Sequence, residues 1–400
     1  MNPSPVSPAR IAGVVAAAHA VNDAYAAFLP PLLPRLMDKL GLSIALAATV
    51  AMTFSLSTSL LQPFLGYLAD HLGRRRFLVA GPLVSGVFIS FMGWAPTFWT
   101  LLALLILAGL GSAAFHPPGA SYAARIGDGG RVGLRLSIFS FGGSAGYALG
   151  PLVAVALVQW RGLQGLWVAA LPVLILTPFL FLTLPESRTP QGRSAHPPPT
   201  PGEVARNLTG PLGMIFGISA IMAFAQRSFL TMEPIIVART GGSEAVGAVA
   251  LSIYLAAQAG GTLTGGYLAD RMDRRTLLIL ICGLALPAHL AAVGLAPGSS
   301  GALVAAGAAG FLAMASLPPI VVTAQELLPR GAAVGSGIVM GLAWAAGSLG
   351  VMATGALADV VGPRAATLST LPVIAVAVAL AVRAGAHLSS PASRPARAGA

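Results

Sequence analysis

The chain has 400 residues, of which 56% are hydrophobic and only 9% charged, against roughly a quarter charged in ordinary soluble domains. That balance excludes a soluble globular protein, and the lone cysteine, Cys282, excludes a disulfide framework and a cysteine metal site. The formal charge of +11 would suit a nucleic-acid partner, but the placement of the basic residues argues against one.

Apolar runs of about 20 residues recur, each long enough to cross about 30 Å of hydrocarbon as a helix. They predict twelve spans, at 11–33, 44–68, 77–95, 98–122, 134–158, 163–184, 211–236, 245–268, 276–296, 301–324, 333–358 and 364–384. With both termini in the cytoplasm, Arg35, Lys39, Arg161, Arg239 and Arg364 fall outside, Arg227 alone falls deep within a span, and every other Lys or Arg is cytoplasmic. This follows the positive-inside rule. The basic charge then reflects topology and attraction to anionic lipid, with no nucleic-acid partner implied. The sequence divides into a six-helix bundle over 1–186, a proline-rich cytoplasmic linker over 187–210, a second bundle over 211–388 and a disordered cytoplasmic tail over 389–400.

The first span is not expected to be a cleaved signal peptide. Its apolar stretch is too long, and Asn22 and Asp23 stand where a small-residue cleavage site belongs. Ionisable groups inside spans are costly to bury, so each is a functional candidate. Asp23 falls midway along this span, and His19 lies four residues earlier on the same face. The pair reads as a proton or substrate site; the alternative is a structural polar bridge from Asn22 and Asp23 to backbone or to Arg227.

The second span ends in Gly66-Tyr67-Leu68-Ala69-Asp70, followed by a loop with Gly73, Arg74, Arg75 and Arg76. His116 lies in the inner half of the fourth span, where it either lines a cavity or bonds carbonyls freed at Pro117-Pro118. In the fifth span Gly142, Gly146 and Gly150 stand four apart on one helix face, with Pro151 next. Small residues so spaced let helices approach closely.

In the seventh span Arg227 is flanked by Gln226 and Ser228. A guanidinium fork suits phosphate, phosphonate or carboxylate, so Arg227, with Gln226, Ser228 and Asn22, is a candidate substrate ligand. A static salt bridge with Asp23 or Glu233 is the alternative. Glu233 reads as a solvated residue at a cavity mouth that could also meet substrate. At the end of the tenth span Glu326 is expected to tie to Arg330 or another loop arginine. Gln62, Gln258 and Gln325 could line a pathway or serve helix packing.

Gly66 to Asp70 recurs letter for letter as Gly266 to Asp270, half the chain away, and the same offset brings Gly150 onto Gly350. Pro117-Pro118 falls on Pro318-Pro319 within one residue. Duplicated membrane halves are the signature of a secondary transporter.

The stretch Gly66-Tyr67-Leu68-Ala69-Asp70-His71-Leu72-Gly73-Arg74-Arg75-Arg76 resembles the loop motif between the second and third helices of the major facilitator superfamily. The Gly142 to Pro151 stretch looks like the glycine-proline motif of its antiporters; the second half has Val351 where a proline would stand. Four further stretches extend the likeness along almost the whole chain: His19-Ala20-Val21-Asn22-Asp23, Ser59-Leu60-Leu61-Gln62-Pro63, Phe115-His116-Pro117 with the later Gly129-Gly130-Arg131-Val132-Gly133-Leu134, and Ala324-Gln325-Glu326-Leu327-Leu328-Pro329. Together these resemble the fosmidomycin-resistance branch. One departure is Pro118, where relatives commonly carry an acidic residue after the His-Pro.

The resemblance implies an all-α membrane protein of twelve transmembrane helices in two pseudo-symmetric six-helix bundles around a central cavity. It implies a proton-coupled efflux antiporter of the bacterial inner membrane, acting as a monomer on a small anionic or zwitterionic compound. Asp23 and His19 would carry the proton. Gly66, Asp70, Gly73, Arg74 and Asp270 would form a conformational latch, unless the loop serves topology alone. The alternatives are a proton symporter for a sugar or organic anion, and a transporter-like membrane sensor. No cofactor or metal is expected, and no Ser/His/Asp set or phosphate-binding glycine loop suggests an enzyme.

Overall fold

The computed structural model describes residues 7–125, 132–185, 202, 206, 208–328 and 332–385. Among these it has twelve helices long and apolar enough to cross a membrane: Ala9–Leu40, Ile44–Leu72, Arg74–Trp94, Phe98–Ala123, Leu134–Arg161, Leu163–Thr183, Pro211–Arg239, Glu244–Ala269, Arg274–Gly294, Ser300–Leu327, Val334–Val361 and Pro363–Ala384. Each matches one expected span. Most of the expected linker and all of the expected tail, together with Gly129 to Arg131 and Arg330, lie outside the described residues.

The first span is longer than expected because its prolines do not end it. The helix Pro8–Ala26 breaks at Ala27 and Phe28 and restarts as Leu29–Leu40. Pro30 sits in the first turn of the new helix, where its missing N–H costs nothing. The restarted helix buries Leu32, Leu33 and Leu36 and ends at Gly41, whose φ of 63° closes it in the left-handed region. Ser43 then caps the second span by accepting from the Leu46 N–H at 3.2 Å. A first span of 32 residues is about 48 Å long at the helical rise, so its charged end with Arg35, Asp38 and Lys39 reaches beyond the apolar layer.

The described residues gather into two compact units, one drawn from residues 1–192 with Val237–Ser252 and the other from residues 193–236 with Ile253–Ala400. Within the first, Ile11, Val15, Leu78, Phe115, Phe139 and Leu180 from five different spans share one buried cluster. Within it, too, Arg35 ion-pairs with Glu244 at the start of the eighth span.

Apolar side chains gain little by leaving lipid for each other, so membrane helices pack through close backbone approach. The fifth span shows this along its glycine face. A Cβ on Gly142 would come 2.4 Å from the Ala16 carbonyl oxygen, on Gly146 1.8 Å from that of Ala20, and on Gly150 2.5 Å from that of Ala24. Three glycines four apart thus lie against three carbonyls four apart on the first span, and the helix continues through Pro151 to Arg161. In the second unit Gly347 meets the Ala220 carbonyl in the same manner at 2.7 Å.

Candidate ion-coupling and anion-binding sites

The glycine face positions the polar residues of the first span. His19 and Asp23 lie one turn apart, with His19 Nε2 3.2 Å from Asp23 Oδ2. A Cβ on Gly143 would fall 2.4 Å from the His19 ring, so the second glycine of the Gly142-Gly143 pair makes room for the imidazole. Phe139 stacks on that ring at 4.0 Å and its backbone carbonyl accepts a hydrogen bond from His19 Nδ1 at 2.8 Å.

The fourth span closes the cluster. His116 Nε2 lies 3.4 Å from Asp23 Oδ1, a partner that neither reading of this histidine gives it. Asn22 is fully buried, and its Nδ2 lies 3.1 Å from Asp23 Oδ1, 3.2 Å from Ser112 Oγ and 3.5 Å from His116 Nε2. Ser112 was not anticipated, although it stands four residues before His116 on the same helix face.

The chemistry follows from counting hydrogens. A carbonyl only accepts, so the proton of a neutral His19 is on Nδ1, and its Nε2 presents a lone pair to a carboxylate oxygen. Two acceptors at that distance hold together only with a positive charge between them. Either His19 is an imidazolium, or the carboxyl carries the proton, or a cation enters. Such a cluster can take up and release a cation inside a membrane bundle.

Within the second unit Arg227 is half-buried and pairs with no described carboxylate of that unit; its guanidinium lies over the Trp344 ring at 5.7 Å from the centroid. Gln226 and Ser228 are buried, and the Ser228 hydroxyl has no partner among the described residues. Neighbours in a helix point about 100° apart, so the three cannot all address one ligand from the same face. Glu233 is 3% exposed, which overturns its reading as a solvated mouth residue: it sits where the seventh span is packed on nearly every side. Trp344 follows a π-helical turn, Ile338–Leu342, whose Val339 carbonyl accepts from Ser219 at 2.6 Å. Such turns concentrate at functional sites. Nothing in the local sequence announces that turn.

The two loop motifs keep one buried arginine each but pair it differently. Gly73, with φ of 104°, makes the turn, and Asp70 Oδ1 accepts from Arg74 Nε at 2.6 Å. A Cβ on Gly66 would meet Pro117 at 3.1 Å, so the glycine lets the fourth span come close. In the repeat, Arg274 instead donates to Glu326 at 2.6 Å, the loop-arginine tie expected of that residue. Asp270 is exposed and has no described partner, while Asp273 caps the ninth span through the Thr276 N–H at 3.0 Å. Gln62 and Gln325 bond within the helical framework, to the Thr58 carbonyl at 2.8 Å and the Ser336 hydroxyl at 2.9 Å, whereas the buried Gln258 Nε2 has no partner among the described residues.

If the loop is the latch expected from the sequence, Asp70→Asn should slow transport while leaving substrate affinity nearly unchanged, because the Asp70–Arg74 tie involves no candidate substrate residue. Asp270→Asn should do less. Initial rates and binding, measured on variants present at equal level in the membrane, check this; a wild-type rate in Asp70→Asn would contradict it.

The chain matches the Major Facilitator Superfamily description over residues 15–329 and 215–399. It is 30% identical over 382 residues to the uncharacterized MFS-type transporter YfnC of Bacillus subtilis (strain 168), covering 91% of this chain and 90% of the relative. It is 29% identical over 314 residues to the fosmidomycin resistance protein of Escherichia coli (strain K12), covering 76% and 75%. Among solved structures it resembles a bacterial homologue of the human lysosomal transporter Spinster in an inward-facing, unoccupied conformation, with a TM-score of 0.80 at 18% identity, covering 96% of this chain and 99% of that one.

Proposed function

The chain belongs to the major facilitator superfamily of membrane transporters, and we propose that it is a proton-coupled antiporter exporting a small anionic or zwitterionic compound. Transport, rather than an enzyme reaction, is the work of this family, and twelve spans make the chain a multi-pass membrane protein.

The observation that carries the coupling is the cluster of His19, Asp23 and His116, a carboxylate held between two imidazoles inside a transmembrane bundle. It has room for a proton and groups that can bind one. Arg227 supports the anionic substrate class: it is the one basic residue well inside a span, with a flat indole beside it and no described carboxylate of its unit neutralising it. Export is favoured by the similarity to the fosmidomycin resistance protein. Both termini are assigned to the cytoplasm by the distribution of basic residues, and one chain suffices for the transport unit. In this reading the Asp70–Arg74 loop is a latch made and released as the protein alternates between its two openings.

Fosmidomycin accumulation in a sensitive bacterial host expressing the protein tests the reading. Accumulation should fall while the proton gradient stands and recover when a protonophore collapses it. Raised accumulation would favour the proton symporter, and unchanged accumulation with the protein present in the membrane would contradict export of this compound.

A further inference from the structure

We propose that His19, Asp23 and His116 form a binding site for a divalent transition-metal ion of the zinc type, completed by Asn22. The reading rests on the proposed coupling cluster only in using the same gap, and it stands on geometry.

One ligand atom from each of the three residues lies within 4.8 Å of the others. The two imidazole-to-carboxylate separations, 3.2 Å from His19 to Asp23 Oδ2 and 3.4 Å from His116 to Asp23 Oδ1, are each close to the edge of about 3.3 Å in a tetrahedron whose ligands stand about 2.0 Å from a zinc ion. An ion held by one Asp23 oxygen needs the two rings to close on each other and the carboxylate to turn toward them. His19 already has the outer arrangement of a metal-bound histidine: its Nδ1–H is given to the Phe139 carbonyl at 2.8 Å, which fixes the tautomer and aims the Nε2 lone pair inward. Phe139 and the packed Gly143 then prevent the ring from turning away.

Asn22 supplies the independent observation. Its Nδ2 has two hydrogens but faces three acceptors, while Oδ1 is buried with no partner among the described residues. Leaving such an oxygen unpaired costs about 1–3 kcal/mol. Half a turn of the amide exchanges Nδ2 for Oδ1 and presents a carbonyl oxygen to the cluster, where a cation would satisfy it, at the cost of moving Nδ2 into the place that Oδ1 leaves. The set becomes two imidazole nitrogens, a carboxylate and an amide oxygen. That mixture suits zinc, cobalt or nickel better than magnesium or calcium, which favour all-oxygen sites.

Titration of tag-free protein in detergent with Co2+, followed by its visible d–d absorption, tests the site, with Zn2+ calorimetry alongside. One ion per chain and a tetrahedral cobalt spectrum are expected. Asp23→Asn and His116→Ala should each weaken binding by more than the roughly 10–100-fold typical of losing an outer partner, and His71→Ala should change nothing. Zn2+ should raise the melting temperature of the wild type but not of these two variants. Should Asp23→Asn fail to fold, His116→Gln takes its place. No bound ion, or equal binding by wild type and the ligand variants, overturns the proposal. Binding is read without substrate or gradient, so its failure leaves proton coupling standing, and a loss of coupling alone leaves the metal site standing.

Discussion

Asp23→Asn is expected to abolish pH-driven transport while leaving substrate binding close to wild type. Asparagine keeps the shape and can still accept from Asn22, but it cannot hold a proton and carries no charge for His19 and His116 to answer. Both imidazoles then lose the group that gives a positive charge a reason to be there. The effect should be near complete because the three side chains act as one unit, and removing the central member disables the other two. Transport driven by an imposed pH gradient in proteoliposomes, with substrate binding measured on the same preparation, checks it. Intact pH-driven transport would move the coupling elsewhere, to His19, His116 or Glu233.

Arg227→Ala is expected to weaken binding of an anionic substrate at least tenfold, and Arg227→Lys by less. Truncating one partner of a buried charged pair costs about 2–5 kcal/mol, and each 1.4 kcal/mol is about tenfold in affinity. Lysine keeps the charge but loses the fork geometry and the flat face that lies over Trp344. A neutral compound should be affected far less. Calorimetry in detergent, with folding followed by thermal stability, separates the outcomes. If alanine binds the anion as well as arginine does, Arg227 is structural.

The spans were legible because their composition admits little else, and the glycine ladder because a four-residue spacing fixes one helix face. The His19–Asp23 pair was legible for the same reason. What brought His116 to Asp23 was not: the residues belong to different helices, and His116 gives no local sign of its partner. The first span was read as ending at 33, just before Pro34 and the charged Arg35, yet the helix carries Pro34 inside it and continues to Leu40. Glu233 was misread because a position near a span's end looks wet in sequence, whereas the surrounding packing covers it. Trp344 follows a π-turn whose Val339 carbonyl is bonded by Ser219 of another helix, a contact that local sequence does not announce.

The most direct measurement is the lumen pH of proteoliposomes given an inward gradient of fosmidomycin, followed with an entrapped dye. The account predicts that entry of the compound drives protons out, so that the lumen becomes alkaline with wild-type protein and stays unchanged with Asp23→Asn. A lumen that acidifies, or transport of the compound with no change in pH, would contradict it.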